Sequence, residues 1–131
     1  MMDRRVWEGV GPFRLLGWSG DTELCWRARE AGHRLAFDPT AVVEHHHDPG
    51  LRGFWQERLA RGAAFAAMRA RAEDWSRPRG LAALAATPLV PLLLVARSRP
   101  LAPGTLPVEL VGYSAWALGE ARSHLACVRA G

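Results

Sequence analysis

The sequence predicts an α/β fragment in which helices flank a short two-stranded element and an apolar helical tail follows. Three observations support this prediction. Apolar residues recur at helical spacing after position 20 and again after position 50. Two short apolar segments between these helices flank an Asp-Pro turn, which is typical of paired strands. From about residue 77, mixed charged and apolar sequence gives way to a long uncharged stretch.

Composition excludes several classes of protein. The 131 residues are 49% hydrophobic and 23% charged, which excludes wholesale disorder. All 17 basic residues are arginine, and with 13 acidic residues they give a net charge of +4. Cys25 and Cys127 lie far apart, so a disulfide scaffold is excluded and a zinc ribbon is disfavoured. No apolar run follows the charges at the N-terminus, so we expect no signal peptide and a cytosolic start.

The first half predicts a loop, a helix and two strands. Gly11–Gly20 is glycine-rich and indicates a loop. The first helix is expected to begin at Asp21, whose carboxylate can accept hydrogen bonds from free backbone N–H groups, and to end at Gly32. Short strands are predicted over Arg34–Phe37 and Ala41–Glu44.

The second half predicts a long helix and then an apolar tail. The long helix is expected over Leu51–Ala72, and a last helix over Val108–Leu125. Between them, Leu81–Ala96 carries no charge, and Pro88 and Pro91 are expected to break or kink any helix there. This change in composition predicts two parts, residues 1–76 and an apolar tail over residues 77–131.

The uncharged segment Leu81–Ala96 favours contact with a membrane. Its 16 residues fall short of the roughly 20 that a spanning helix needs. Arginines flank both ends, which suits a segment that enters the interface on the cytoplasmic side: Arg77, Arg79, Arg97 and Arg99. The alternative is a buried hairpin inside a soluble core.

A run of three histidines follows the second predicted strand and is a candidate metal site. Alternate side chains of an extended segment share a face, so His45 and His47 could bind one metal ion together. Together with Asp48 they make an incomplete site, which Asp21 could help to complete. The alternative is a polar loop, because the spacing of a four-ligand structural zinc site is absent.

Arginines along the long helix form a second candidate site, for phosphate groups or an acceptor: Arg52, Arg58, Arg61, Arg69 and Arg71. Among these we single out Arg58 and Arg61. The alternative is a solvated helix face on which Glu57 and Glu73 pair with the arginines. No helix-turn-helix spacing or basic–aromatic platform occurs, so nucleic acid is not an expected partner.

Taken in order, these blocks resemble family-two glycosyltransferases. The resemblance covers VGPF at Val10–Phe13, GDTELCWRAREAGHRLAFDPTAVVEHHH at Gly20–His47, the Arg-rich helix, and SAWALGEARSHL at Ser114–Leu125. More narrowly, the chain resembles the C-terminal half of their Rossmann-like GT-A catalytic domain, followed by a membrane-associated tail. The family transfers a sugar from a nucleotide-sugar to an acceptor hydroxyl, usually with inversion.

The resemblance implies roles for particular residues. The family carries a Glu-Asp pair at the start of this helix, and its Asp, which Asp21 matches, deprotonates the acceptor. Gly20 occupies the Glu position, which is a departure from the pattern. A His after the following strand helps hold a divalent cation or the donor diphosphate, and His45 matches best, with His47 second. The implied cofactor of the full-length enzyme is Mg²⁺ or Mn²⁺.

What the chain lacks relative to the family also bears on function. It has no Asp-x-Asp motif and no nucleotide-binding half, so we expect a fragment whose missing half is encoded upstream in frame. The implied partners are a nucleotide-sugar donor, a carbohydrate or lipid-linked acceptor, and the cytoplasmic side of the inner membrane, in cell-envelope polysaccharide or glycolipid synthesis. The alternatives are a non-catalytic membrane-associated remnant and a small His-based metal-binding module.

Overall fold

The structure is a computed structural model that describes residues 3–14, 18–44, 46, 50–97 and 104–130. The chain divides into two compact units, Met1–Asp48 and Pro49–Gly131. All regular secondary structure of the described residues is helical: α1 Arg4–Val10, α2 Gly20–Glu30, α3 Gly50–Ala72, α4 Arg77–Ala86, a 3₁₀ turn Thr87–Leu89, α5 Val90–Arg97 and α6 Leu106–Ala130. The predicted division between residues 76 and 77 coincides with the start of α4 and stays a prediction.

The predicted α/β class is wrong, because the described residues contain no strand. Residues 34–37 and 41–44 are irregular, and their apolar side chains face solvent, with Phe37 91% and Val42 83% exposed. A strand needs a neighbour to pair its N–H and C=O groups and to bury one face. No described segment supplies that neighbour, so β-branched composition alone does not produce a ladder here.

Local capping interactions define the helices of the first unit. Asp3 caps α1, which the sequence reading missed, and its Oδ1 accepts a hydrogen bond from the Arg5 N–H at 2.7 Å. The predicted stop of α2 at a glycine is confirmed. Gly32 has φ +85°, and the next residue, His33, donates its N–H to the carbonyl of Ala28 at 2.9 Å, as in a Schellman motif.

The second unit matches its sequence prediction more closely. Helix α3 begins one residue before the predicted start and ends at the predicted Ala72. The predicted break in the apolar segment is confirmed, because Pro88 lies in the 3₁₀ turn that separates α4 from α5. Helix α6 is longer than expected, since it begins at Leu106 and ends at Ala130.

The core of the second unit is the contact between α3 and α6, which pack backbone to backbone. A Cβ atom added at Gly62 would lie 2.9 Å from the carbonyl carbon of Trp116. One added at Gly119 would lie 2.7 Å from the backbone nitrogen of Ala63 and closer still to the carbonyl oxygen of Leu59. Small residues are therefore required at this crossing, as they are where helices approach closely.

Helices α4 and α5 pack on α6 but leave an apolar face uncovered. With the 3₁₀ turn they form a stretch of 21 residues, Arg77–Arg97, that is long and apolar enough to cross a membrane, and 11% of its most apolar window is buried. Leu92 and Leu93 are 62% and 59% exposed. A patch of this kind on a protein surface marks a contact site for a partner or a lipid.

We expect Gly119→Ala to destabilise the second unit. Alanine favours a helix over glycine by about 1 kcal/mol, but here its methyl group would collide with the α3 backbone, and overpacking costs about 1–3 kcal/mol. Thermal unfolding followed by circular dichroism should therefore show a lower midpoint. Gly9→Ala is the matched control, since a Cβ atom there meets nothing within 4 Å. An unchanged or higher midpoint for Gly119→Ala would contradict the packing described.

Candidate functional site

Asp21, the predicted base, lies in the first turn of α2 with its side chain exposed. Its Oδ1 accepts hydrogen bonds from the Thr22 backbone N–H at 2.8 Å and from the Thr22 hydroxyl at 3.4 Å. No described residue donates a hydrogen bond to Oδ2. The carboxylate is thus held on one oxygen and open to solvent on the other.

The start of α2 differs from the sequence prediction by one residue. The helix begins at Gly20, and its N-cap is Ser19, which has φ +72° and makes no side-chain capping hydrogen bond. Asp21 is therefore inside the helix and does not occupy the cap. Its negative charge still lies at the positive end of the helix dipole, where a carboxylate is stabilised.

A buried arginine joins the VGPF block to α2. The Arg27 guanidinium pairs with Glu23, with Nε 2.6 Å from Oε1, and these side chains are 11% and 14% exposed. The same guanidinium donates to the carbonyl of Val10 and, at 2.8 Å, to the carbonyl of Pro12. Because Glu23 lies one turn after the start of α2, this clamp holds residues 10–12 beside the helix turns that follow Asp21. The sequence analysis did not predict this interaction, although Glu23 and Arg27 have the i, i+4 spacing at which Glu and Arg pair on a helix.

The first unit also contains a cavity of about 480 Å³ on the C-terminal side of α2. Its walls include the side chains of Asp3, Cys25, His33 and Arg34. Polar and ionisable groups on an otherwise apolar wall can fix the orientation of a small ligand. The sequence reading did not predict this cavity, because its wall combines residues from α1, α2 and the segment that follows Gly32.

The predicted metal ligands His45 and His47 lie outside the described residues, as does Asp48. His46 is exposed, and its Nε2 lies 3.4 Å from Oε1 of Glu44. Within the described part of the chain, no three metal-ligating side chains form a group.

The predicted phosphate or acceptor contacts, Arg58 and Arg61, both lie on α3 in the second unit. The Arg58 guanidinium lies over the ring of Phe54, 5.2 Å from its centroid. Arg61 forms an ion pair with Glu57. A phosphate bound at Arg61 would therefore compete with this carboxylate, whereas at Arg58 it would meet a guanidinium stacked on an aromatic ring.

A polar cluster at the junction of α3, α4 and α6 was also missed by the sequence reading. His124 is 5% exposed and stacks on Trp75 with a centroid distance of 5.4 Å, and no described residue forms a hydrogen bond with its Nδ1. Burial, and then the charge of Arg69, lowers the pKa of His124. Burial raises the pKa of Glu120, which accepts a hydrogen bond from the Trp116 indole at 3.0 Å.

Proteins that are similar to part of this chain indicate a class of chemistry. Over 70 residues, 53% of its length, the chain is 39% identical to "Pre-mycofactocin glycosyltransferase" of Mycobacterium tuberculosis, in each of two strains, CDC 1551 and H37Rv. The matched stretch is similar to a glycosyltransferase. The chain spans 15% of the length of these relatives. No protein-family model matches the chain, and no solved structure matches it significantly.

We expect Arg27→Gln to loosen the VGPF block. The change removes two hydrogen bonds to backbone carbonyls and leaves Glu23 unpaired, at a cost of about 1–3 kcal/mol. Hydrogen exchange of the Gly11 amide, which donates to the carbonyl of Trp7 at 2.8 Å, should become faster by about tenfold or more. Arg29→Gln on the exposed side of α2 is the matched control and should leave this amide unchanged. Equal protection in the Arg27 variant would show that the clamp does not hold the block.

We expect stability to fall with acidity through His124. Because burial holds the pKa of His124 in the folded chain below its ordinary value of 6.5, the unfolded chain binds the proton first as pH falls. The free energy of unfolding should therefore decrease as pH falls from about 6.5 toward the folded pKa. Glu120 acts in the opposite sense, since its raised pKa gives stability that is lost as pH rises above 4.5 through the folded value.

The test compares the thermal unfolding of wild type and His124→Phe as the pH falls from about 6.5. Phenylalanine is chosen because its ring can still stack on Trp75 but does not titrate. The variant should lose less stability on acidification, while the Glu120 contribution remains in both proteins. His33→Phe is the control in the first unit. The interpretation is wrong if the wild type and the His124 variant lose stability in parallel.

Proposed function

We propose that this chain is the acceptor-side part of a glycosyltransferase of the family-two type, which transfers a sugar from a nucleotide-sugar to an acceptor hydroxyl. The observation that carries the proposal is the 39% identity over 70 residues to a glycosyltransferase. The exposed carboxylate in the first turn of α2 is compatible with this chemistry. The chain spans 15% of the length of its relatives, so the proposal concerns one part of such an enzyme.

Asp21 is the general base of the proposed reaction. The acceptor hydroxyl approaches Oδ2 and transfers its proton to the carboxylate while its oxygen attacks the anomeric carbon. The bond from the anomeric carbon to the donor diphosphate breaks, and the nucleoside diphosphate leaves with the electron pair. The Thr22 N–H holds Oδ1 at 2.8 Å, which fixes the orientation of the carboxylate for this transfer.

In the proposed enzyme, two other segments supply residues that bind a metal ion and the phosphate or acceptor groups. His45 and His47 would add imidazole ligands for Mg²⁺ or Mn²⁺, which neutralises diphosphate charge when it is bound. Arg58 and Arg61 would contact phosphate or acceptor groups. We propose a carbohydrate or lipid-linked acceptor and a role in cell-envelope polysaccharide or glycolipid synthesis.

We also propose that the chain associates with the cytoplasmic face of the inner membrane. The support is the apolar stretch Arg77–Arg97, which is mostly unburied and bounded by arginines. The same observation favours the second candidate function, a non-catalytic membrane-associated protein. The two candidates differ in whether Asp21 matters for sugar transfer. The third alternative, a metal-binding module on His45, His47 and Asp48, stays a prediction, because these three residues lie outside the described part of the chain.

We expect Asp21→Asn in the complete enzyme to reduce sugar transfer by about 10²-fold or more, because an amide cannot accept the acceptor proton. Binding of the nucleotide-sugar, measured by calorimetry, should persist. Glu30→Gln, which removes a carboxylate from the exposed end of the same helix, is the matched control and should keep full turnover. Unimpaired transfer by the Asp21 variant would remove Asp21 from the role of base.

A further inference from the structure

The corner between α3 and α4 is the most cationic part of the described second unit. We define this corner as residues 69–79 together with Arg129. The last turns of α6 reach it, because a Cβ atom at Gly80 would lie 3.1 Å from the side chain of Val128. The corner holds five arginines against two acids: Arg69, Arg71, Arg77, Arg79 and Arg129, with Glu73 and Asp74.

Trp75 lies in this corner and contacts two guanidinium groups. The Arg79 guanidinium carbon is 4.7 Å from the indole centroid, and that of Arg69 is 5.1 Å away. Glu73 connects them, since it accepts a hydrogen bond from the Trp75 indole at 2.9 Å and pairs with both arginines. The indole is therefore fixed by cation–π contacts and a carboxylate, with His124 stacked against it.

Three further arginines of the corner face solvent without an ion pair to any described residue. These are Arg71, Arg77 and Arg129. Of the two acids of the corner, Glu73 pairs with Arg69 and Arg79, whereas Asp74 forms no ion pair with a described residue. The cluster thus has excess positive charge beyond what Glu73 neutralises. Flexible arginines at an apolar boundary can reach a layer of phosphate groups with their charged ends.

The apolar face begins directly after the corner. Leu81 is 49% exposed, and the exposed leucines continue through Leu89 to Leu92 and Leu93. Trp75, Arg77 and the uncovered leucines thus follow one another in this order along the chain from the end of α3 to α5. This order matches the layers of a bilayer surface, where tryptophan and arginine lie at head-group depth and leucine at acyl depth.

We propose that the α3–α4 corner binds the phosphate head groups of anionic phospholipids and so sets the depth and orientation of the α4–α5 leucine face. The inference rests on the membrane association proposed above and adds to it a lipid class and a binding site. Charge complementarity selects the lipid. Each arginine near an anionic surface strengthens binding by about fivefold.

The test is flotation of the purified chain with vesicles of phosphatidylcholine alone and of phosphatidylcholine mixed with phosphatidylglycerol, at low salt. Wild type should partition more strongly into the anionic vesicles. The triple variant Arg71→Gln, Arg77→Gln, Arg129→Gln should lose about 10²-fold in that partition. The matched triple variant Arg5→Gln, Arg14→Gln, Arg29→Gln removes the same charge from exposed sites elsewhere and should lose about threefold or less.

The outcomes separate this inference from the proposed function. Equal binding of wild type to both vesicle types would overturn the head-group site and leave membrane association standing. Binding to neither type would overturn the membrane association as well. Equal losses in the two triple variants would show attraction by net charge alone and overturn the site. Tighter binding to duplex DNA than to anionic vesicles would overturn it too. Circular dichroism checks the fold, and Arg77→Gln alone replaces the triple variant if that variant unfolds.

Discussion

The close approach of α3 and α6 determines most of what the second unit presents to its surroundings. Where Gly62 and Gly119 bring the two backbones together, no large side chain can intervene. The helices are therefore fixed in register by contact between main chains, and Ala66 and Ala115 complete the buried seam. This register places His124 of α6 against Trp75 and leaves α4 and α5 on the outside, where their leucines remain uncovered.

The first unit is held together by different forces. Among its described residues, the buried apolar side chains are Leu24 and Ala28 on α2. Polar contacts add to them, because Arg27 links α2 to the carbonyl of Val10, the last residue of α1, and to that of Pro12. The planar guanidinium of Arg27 fixes the geometry of this contact, since it donates to two carbonyls and a carboxylate at once. The same group orders the chain next to the helix that carries Asp21.

How much of this could be predicted depends on how local the interactions are. The end of α2 at Gly32 and the bounds of α3 follow from capping and periodicity within a few residues, and the sequence was sufficient for both. The strands around Asp38 depend on a distant partner, so their apolar composition misled the prediction. The Trp75–His124 stack joins residues far apart in the chain and left no pattern to detect. Asp21 was singled out by resemblance, since an acidic first turn alone is common.

The protonation states at the α3–α4 corner suit the environment of an anionic surface. Such a surface concentrates protons along with other cations, so groups there meet a lower pH than in bulk. The hydrogen bond from Trp75, and then the charges of Arg79 and Arg69, lower the pKa of Glu73, so its carboxylate stays charged. Burial lowers the pKa of His124, which favours the neutral ring beside Arg69. Both shifts oppose protonation of side chains that contact Trp75, and they therefore favour the contacts of the indole where a surface concentrates protons.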